Sequence, residues 1–325
     1  MDLLAIFDSA VAPLPEGPFT PGLKAIRRHI VAAIRHFERE DDGEQDSFTD
    51  AIYRCNQAYE GGLKEAYRVL ADEDPARLTP HQIESYLEEK KLLRPRVLKQ
   101  LTRYREDYRN PSTHDYRLDF DEDEAILAIV AVCAFARTLI NQISGKLAYN
   151  AGAAILSEGL LKSFKSEEDM AEEVASLISR SMLQAPSYLD GVIDFDLFID
   201  GVLNSNGFAT KPRFPFDEHF DEDDLPWSNA ALHGGKCVPV EVRILPLASL
   251  STSLAWLREK MPERNVRDVV MFVGGRKKSE SYETRTNEIL KGYRIHLVFP
   301  AQHSPSDIGE EEIDIYNSLV QERGA

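Results

Sequence analysis

Residues 125–140 read AILAIVAVCAFARTLI, and how this stretch is housed decides the fold of the first half of the chain. It is 16 residues long and contains Arg137, whereas a membrane-spanning helix needs about 20 apolar residues. Four acids, Asp121 to Glu124, come directly before it. Acids suit a helix N-terminus, where the backbone dipole favours negative charge. The stretch therefore reads as a buried helix that starts in the acidic run and continues to about Lys146. No membrane partner is expected.

A buried helix needs helical neighbours, and the upstream sequence supplies them. Leu23, Ile26, Ile30, Ile34 and Phe37 recur at helical spacing. A second helix is predicted from about Phe48 to Leu70, with Ala51, Cys55, Ala58, Tyr59, Leu63, Ala66, Tyr67 and Leu70 on its apolar side. Thr79-Pro80-His81-Gln82 has the form of a helix start, with a hydroxyl cap, proline at the first position and glutamine three residues after the cap. A helix over about Pro95 to Arg109 follows.

Downstream, residues 151–190 read as a helical connector, with Ser166 capping a stretch that carries Met170, Val174, Leu177 and Ile178 on one side. The period then changes. A short helix over Phe195 to Asn206 ends at Gly207, and apolar runs of strand length follow at Val238–Leu245, Asp268–Val273 and Arg294–Phe299. Helix-like segments, Leu250–Met261 and Tyr282–Leu290, lie between them. His233-Gly-Gly-Lys236 is turn chemistry before the first of these strands. Such alternation predicts an α/β domain with some parallel pairing. A final acidic helix is expected over about Gly309 to Gln321. The expected fold is thus multidomain α and α/β: a helical bundle over 1–150, a helical connector over 151–190, and an α/β domain with a mixed sheet over 191–325.

The chain of 325 residues has a formal net charge of −17, which argues against a general polyanion binder while leaving room for a local basic site. Cys55, Cys133 and Cys237 lie far apart with no CxxC pair. A disulfide framework or structural zinc site is not expected, and reduced cytosolic thiols fit best. The N-terminal MDLLAIFDSA has no basic region and carries Asp2 and Asp8, so it does not read as a secretory signal. The expected location is the cytoplasm.

The most informative stretch is Tyr108-Arg109-Asn110-Pro111-Ser112-Thr113-His114, just before the long apolar helix. Upstream, on another helix, lies Cys55-Asn-Gln-Ala-Tyr-Glu-Gly-Gly-Leu-Lys-Glu-Ala-Tyr67. RNA cleavage by its own 2′-OH needs a proton carrier and positive charge beside the developing phosphorane. Histidine supplies the first near neutral pH, and arginine supplies a bidentate phosphate clamp. Asn110 can orient either partner or the scissile phosphate. Pro111 disfavours helical geometry at Asn110, which predicts a helix end or bend. From Lys90 to Arg109 there are eight basic residues against two acids. Within this island Arg96, Lys99 and Arg103 share a helical face, and with Arg105 they are the candidate RNA contacts. The alternative reading is a solvated face, with Arg109 and His114 capping helices and pairing with Asp107 or Asp115.

Over roughly residues 20 to 148 the chain resembles the HEPN superfamily, small helical bundles of prokaryotic toxins, phage-defence effectors and RNA-processing factors. The resemblance implies a homodimer in which Arg109 and His114 cleave RNA without a metal cofactor, and Asn110 joins them as the orienting residue of the candidate catalytic set. It also leaves open a scaffold or partner-binding role.

A second constellation is Asp217-Glu-His-Phe-Asp221-Glu-Asp-Asp224, followed by Glu241 within Val238-Pro-Val-Glu-Val-Arg-Ile244. It resembles the restriction-endonuclease-like fold, which implies Mg²⁺ held by Asp224 and Glu241 with a lysine two residues on. Here that position is Arg243, which stays protonated and cannot act as a base. An ordinary strand and a solvated acidic loop are the alternative. The remaining histidines, His29, His36, His81, His219, His233, His296 and His303, show no HExxH-type spacing and read as structural or surface residues. Gly274-Gly275-Arg-Lys-Lys278 reads as a basic surface turn rather than a phosphate loop.

The expected function is a metal-independent endoribonuclease of toxin or phage-defence type, with the α/β domain sensing, regulating or binding a defence partner. The alternatives are a non-catalytic dimeric interaction subunit and a Mg²⁺-dependent DNA nuclease.

Overall fold

The computed structural model describes residues 2–39, 47–93, 95–114, 117–156, 163–189, 191–210, 227–244, 250–274 and 279–301. The chain divides into two compact units, one of residues up to Leu147 and one that begins at Ala148.

The first unit is helical. Helix α1, Leu3–Val11, is capped by Asp2, whose carboxylate accepts from the backbone N–H groups of Leu4 and Ala5. Helices α2, Thr20–Phe37, and α3, Ser47–Leu70, pack along their length, because each carries an apolar stripe at helical spacing. Helix α4, Pro80–Glu89, begins with the expected capping box. The Thr79 N–H donates to Gln82 Oε1 at 2.9 Å and the Gln82 N–H donates to Thr79 Oγ1 at 3.3 Å. Helix α5, Pro95–Tyr104, runs through a π-helical turn, Arg105–Arg109, into α6, Asn110–His114.

Helix α7, Glu122–Ala153, is twice as long as the apolar stretch that announces it, and by length and composition it is able to cross a membrane. One side belongs to the core of the helical unit through Ala125, Ile129, Val132, Ala136, Leu139 and Ile143. The other side is open, with Ile126 45%, Leu127 60% and Val130 44% exposed. The expectation of a buried helix therefore holds for one face only.

The second unit is built on a six-stranded mixed sheet of order β1-β2-β3-β4-β6-β5. Its strands are β1, Ala209–Thr210; β2, Asn229–His233; β3, Lys236–Ile244; β4, Asp268–Gly274; β5, Tyr282–Leu290; and β6, Tyr293–Pro300. Gly234 and Gly235, both with positive φ (55° and 79°), make the tight turn that joins β2 to β3. Two residues in this left-handed region are what a twisted hairpin of that length requires. Strands β3, β4 and β6 are parallel neighbours. All seven positions of β4 are buried, as expected of a central strand covered on both faces.

Helices α8, Glu167–Met182, and α9, Val192–Ser205, cover one face, against Val240, Val242, Val270, Phe272 and Val298. Helix α10, Leu250–Glu263, covers the other, with Trp227, Met271, Ile295 and Phe299. The segment expected to be a connector thus contributes a core helix, α8, because Met170, Val174, Leu177 and Ile178 are the face the sheet needs to be buried.

One element differs in kind. Tyr282–Leu290, expected to be helical, is the edge strand β5, paired antiparallel with β6. Its Glu283, Arg285 and Glu288 are exposed, which suits an edge that must not recruit another strand. The acidic run to Asp224 and the expected helix over 309–321 lie outside the described residues.

Candidate functional site

The site is built on the side of α3 that carries Tyr53, Asn56, Tyr59 and Glu60, positions that fall together over two helical turns. Against it lies the continuous helix from Pro95 to His114. Pro111 sits inside this helix. It lacks an N–H and its ring would crowd the carbonyl four residues earlier. A π-helical turn immediately upstream accommodates it, and the Asn110 N–H donates to the Arg105 carbonyl across the widened ring. Asn110 accordingly keeps helical geometry, φ −69° and ψ −49°. This corrects the expectation that Pro111 displaces it. The helix is described as far as His114, one turn further on, and residues 115 and 116 lie outside the described residues.

Polar contacts tie the motif to α3. Arg109 Nε donates to Glu60 Oε1 at 2.8 Å, and Arg109 Nη1 donates to Asn110 Oδ1 at 3.2 Å. Ser112 Oγ donates to the Arg109 carbonyl at 3.0 Å and accepts from Asn56 Nδ2 at 2.7 Å. The Tyr104 hydroxyl donates to Asn56 Oδ1 at 3.0 Å, and the Tyr53 hydroxyl donates to the Ser112 carbonyl at 2.8 Å. The backbone of the motif and the Arg109 guanidinium are therefore held before any ligand arrives. Arg109 and Asn110 are adjacent and half-buried. Position 114 lies one turn beyond Asn110, and the His114 side chain lies outside the described residues.

The basic island splits. Arg96, Lys99 and Arg103 are exposed on α5, Arg103 in an i,i+4 pair with Asp107 at 3.0 Å. Arg105 points the other way. Its Nε donates to both carboxylate oxygens of Glu84, at 3.1 and 3.0 Å. Glu84 is buried, and it also accepts from Thr102 Oγ1 and from the Tyr59 hydroxyl. Burial first, and then the Glu84 charge, push the Tyr59 hydroxyl far above the usual tyrosine range, so it remains a donor. Arg105 is thus a structural cation rather than part of the exposed basic face. Its position seven residues after the buried Leu98 carries the signal.

Glu241 is also enclosed. It pairs with Arg243 at 2.6 Å and accepts from the Ser228 N–H and hydroxyl, while the Arg243 guanidinium lies 5.7 Å from the Trp256 ring centroid. A carboxylate so engaged is a satisfied buried ion rather than an open ligand for Mg²⁺. Its expected partner Asp224 lies outside the described residues. Among the described residues no group of three or more His, Cys, Asp or Glu side chains could hold a metal ion.

Two clusters escaped the sequence reading. The first is a groove of about 410 Å³ lined by His29, His36, Asp50, Tyr53, Arg54 and Gln57. The second is a chain across β5, β6 and β4. Thr286 Oγ1 lies 3.0 Å from His296 Nδ1, and His296 Nε2 lies 3.1 Å from Asp268 Oδ1. Arg294 donates to Asp268 as well, at 2.8 and 3.0 Å. Burial alone would raise the Asp268 carboxyl; the hydrogen bonds from His296 and Arg294 overcome it and hold the group below its ordinary value. This chain lies at the strand starts of β4 and β6, whereas open α/β sheets bind ligands at the carboxyl ends. It is a satisfied polar network that joins three strands. No family model, curated protein or solved structure matches this chain.

Proposed function

We propose that the helical unit is a metal-independent endoribonuclease of the HEPN type that acts in the prokaryotic cytoplasm in a toxin or phage-defence setting. The supporting observation is the fixed guanidinium of Arg109, held between Glu60 and Asn110 on the helix that carries His114. In this reading the RNA 2′-OH attacks the adjacent phosphorus and the bond to the 5′ oxygen breaks. Arg109 stabilises the charge on the phosphorane, Asn110 orients the phosphate, and His114 moves the proton. Arg96, Lys99 and Arg103 bind the flanking backbone. The α/β unit senses a trigger or binds a defence-system partner. Incubation of purified protein with a mixed RNA pool, with and without EDTA, tests this. Cleavage that survives EDTA and leaves 2′,3′-cyclic phosphate is the expected result. Cleavage lost with EDTA would move the chemistry to a metal site.

A second reading, a non-catalytic dimeric interaction subunit, is favoured by the open face of α7. Asp123, Ile126, Leu127, Val130, Ala134 and Arg137 are all exposed along one side. Asp123 and Arg137 stand seven residues either side of Val130. A second copy laid antiparallel and centred on Val130 would therefore place each aspartate opposite the partner's arginine, the self-complementary arrangement a two-fold interface needs. Both readings then share a homodimer. Light scattering is expected to report a dimer for wild type, mostly monomer for Arg137→Glu, and a restored dimer for Asp123→Arg combined with Arg137→Glu. A strict wild-type monomer across micromolar concentrations would rule the interface out.

A further inference from the structure

The groove between α2 and α3 is not used by the cleavage chemistry, yet its lining is chemically specific. His29 and His36 stand two turns apart on α2, and Asp50, Tyr53, Arg54 and Gln57 occupy one side of α3. Among the described residues of the lining, Asp50 is the acid, and it faces His36 at 3.8 Å. Among the described residues no carboxylate lies within ion-pair distance of Arg28 or Arg54. Among the described residues the two arginines therefore keep an unpaired charge beside the groove, in a chain with a net charge of −17. Tyr53 adds a second feature. It is 45% exposed, yet its hydroxyl is tied to the Ser112 carbonyl. The ring is anchored at its polar end and open on its face.

A guanidinium and an imidazole suit a phosphate, and a fixed, open aromatic ring suits a nucleobase. A volume of about 410 Å³ falls in the range of small-ligand sites. We propose that this groove binds a nucleotide phosphate, with the phosphate between Arg54 and His29 and the base stacked on Tyr53. The ligand is a phosphate ester that bears a planar base, and it arrives either as a free nucleotide or as part of a single-stranded RNA. Through its hydroxyl, Tyr53 connects the groove to the carbonyl of Ser112, two residues beyond Asn110. Any effect on cleavage by that route rests on the ribonuclease reading; binding does not.

The titration of His29 gives the site a pH signature. Burial, then the charges of Arg54 and Arg28, hold its imidazolium below the ordinary value of 6.5. A phosphate opposes those cations and raises it again. Binding therefore takes up a proton and tightens as pH falls from neutral toward the lowered value of the free imidazole. The facing groups are Arg28 and His36 of α2 with Arg54 and Asp50 of α3, and the arginines keep their charge throughout that window.

The test uses the full chain and a fluorescent 2′-O-methyl oligoribonucleotide, which lacks the attacking hydroxyl and cannot be cleaved. Anisotropy is expected to show binding that weakens by about tenfold or more in Arg54→Ala and in Tyr53→Ala, with Arg54→Lys and Tyr53→Phe intermediate, because lysine loses the fork and phenylalanine keeps the stacking face but loses the anchor. His29→Gln should flatten the pH dependence. Competition by AMP identifies a free-nucleotide site; resistance to AMP with retained oligonucleotide binding identifies an RNA subsite. Melting curves confirm that each variant is folded. Wild type that binds neither probe, or a folded Arg54→Ala that binds like wild type, overturns the proposal. Binding that depends on Arg54 in a protein that cleaves no RNA upholds the groove and sinks only the ribonuclease.

Discussion

His114→Ala is expected to lower the rate of RNA cleavage by at least about a hundredfold, the usual contribution of a general acid or base, while the thermal melt stays where it is. Position 114 is the last described residue of the helix that carries the motif, and a surface side chain is expected there from the sequence, whose truncation typically costs about 0.5 kcal/mol or less. Arg109→Lys should impair cleavage as well. Lysine keeps the charge but loses the planar fork that meets Glu60 through Nε and Asn110 through Nη1. The measurement is a cleavage rate beside a melting temperature for each variant. If the two positions only cap and pair, the melting temperature drops and activity follows the folded fraction. An unchanged rate in His114→Ala would end the ribonuclease reading.

Glu84→Ala is expected to have the opposite profile, a loss of about 3–5 kcal/mol of stability, the scale for removing one partner of a buried ion pair. Glu84 serves Arg105, Thr102 and Tyr59 at once. Its removal leaves the Arg105 cation, only 13% exposed at its side chain, without that carboxylate. It also loosens the packing of α4 and α5 against α3, on which the motif depends. Glu84→Gln keeps the volume and some acceptor capacity, and should cost less, about 1–3 kcal/mol. Urea titration followed by far-ultraviolet circular dichroism measures both. A midpoint for Glu84→Ala equal to that of wild type would show that this network carries little of the stability. Together the two variants separate roles: one removes chemistry from a folded protein, the other removes the frame that holds it.

Much of the architecture is legible in the residues alone. Apolar spacing placed α2 and α3, the Thr79–Gln82 capping box placed the start of α4, and the apolar runs placed β3, β4 and β6. These are local properties: a helical or extended segment shows its buried face within a few residues. The partition into a helical half and an α/β half follows from them. What tertiary structure alone decided is which polar groups meet. Glu60 and Arg109 are 49 residues apart, Tyr53 and Ser112 are 59 apart, and Glu84 and Arg105 are 21 apart. No local period reports such pairs, so Arg105 read like its exposed neighbours, Glu241 read like a metal ligand, and the Tyr53 groove went unseen. The same reason accounts for β5. Its residues take an extended form because β6 offers a free edge, and that hydrogen-bonding partner exists only once the sheet has formed.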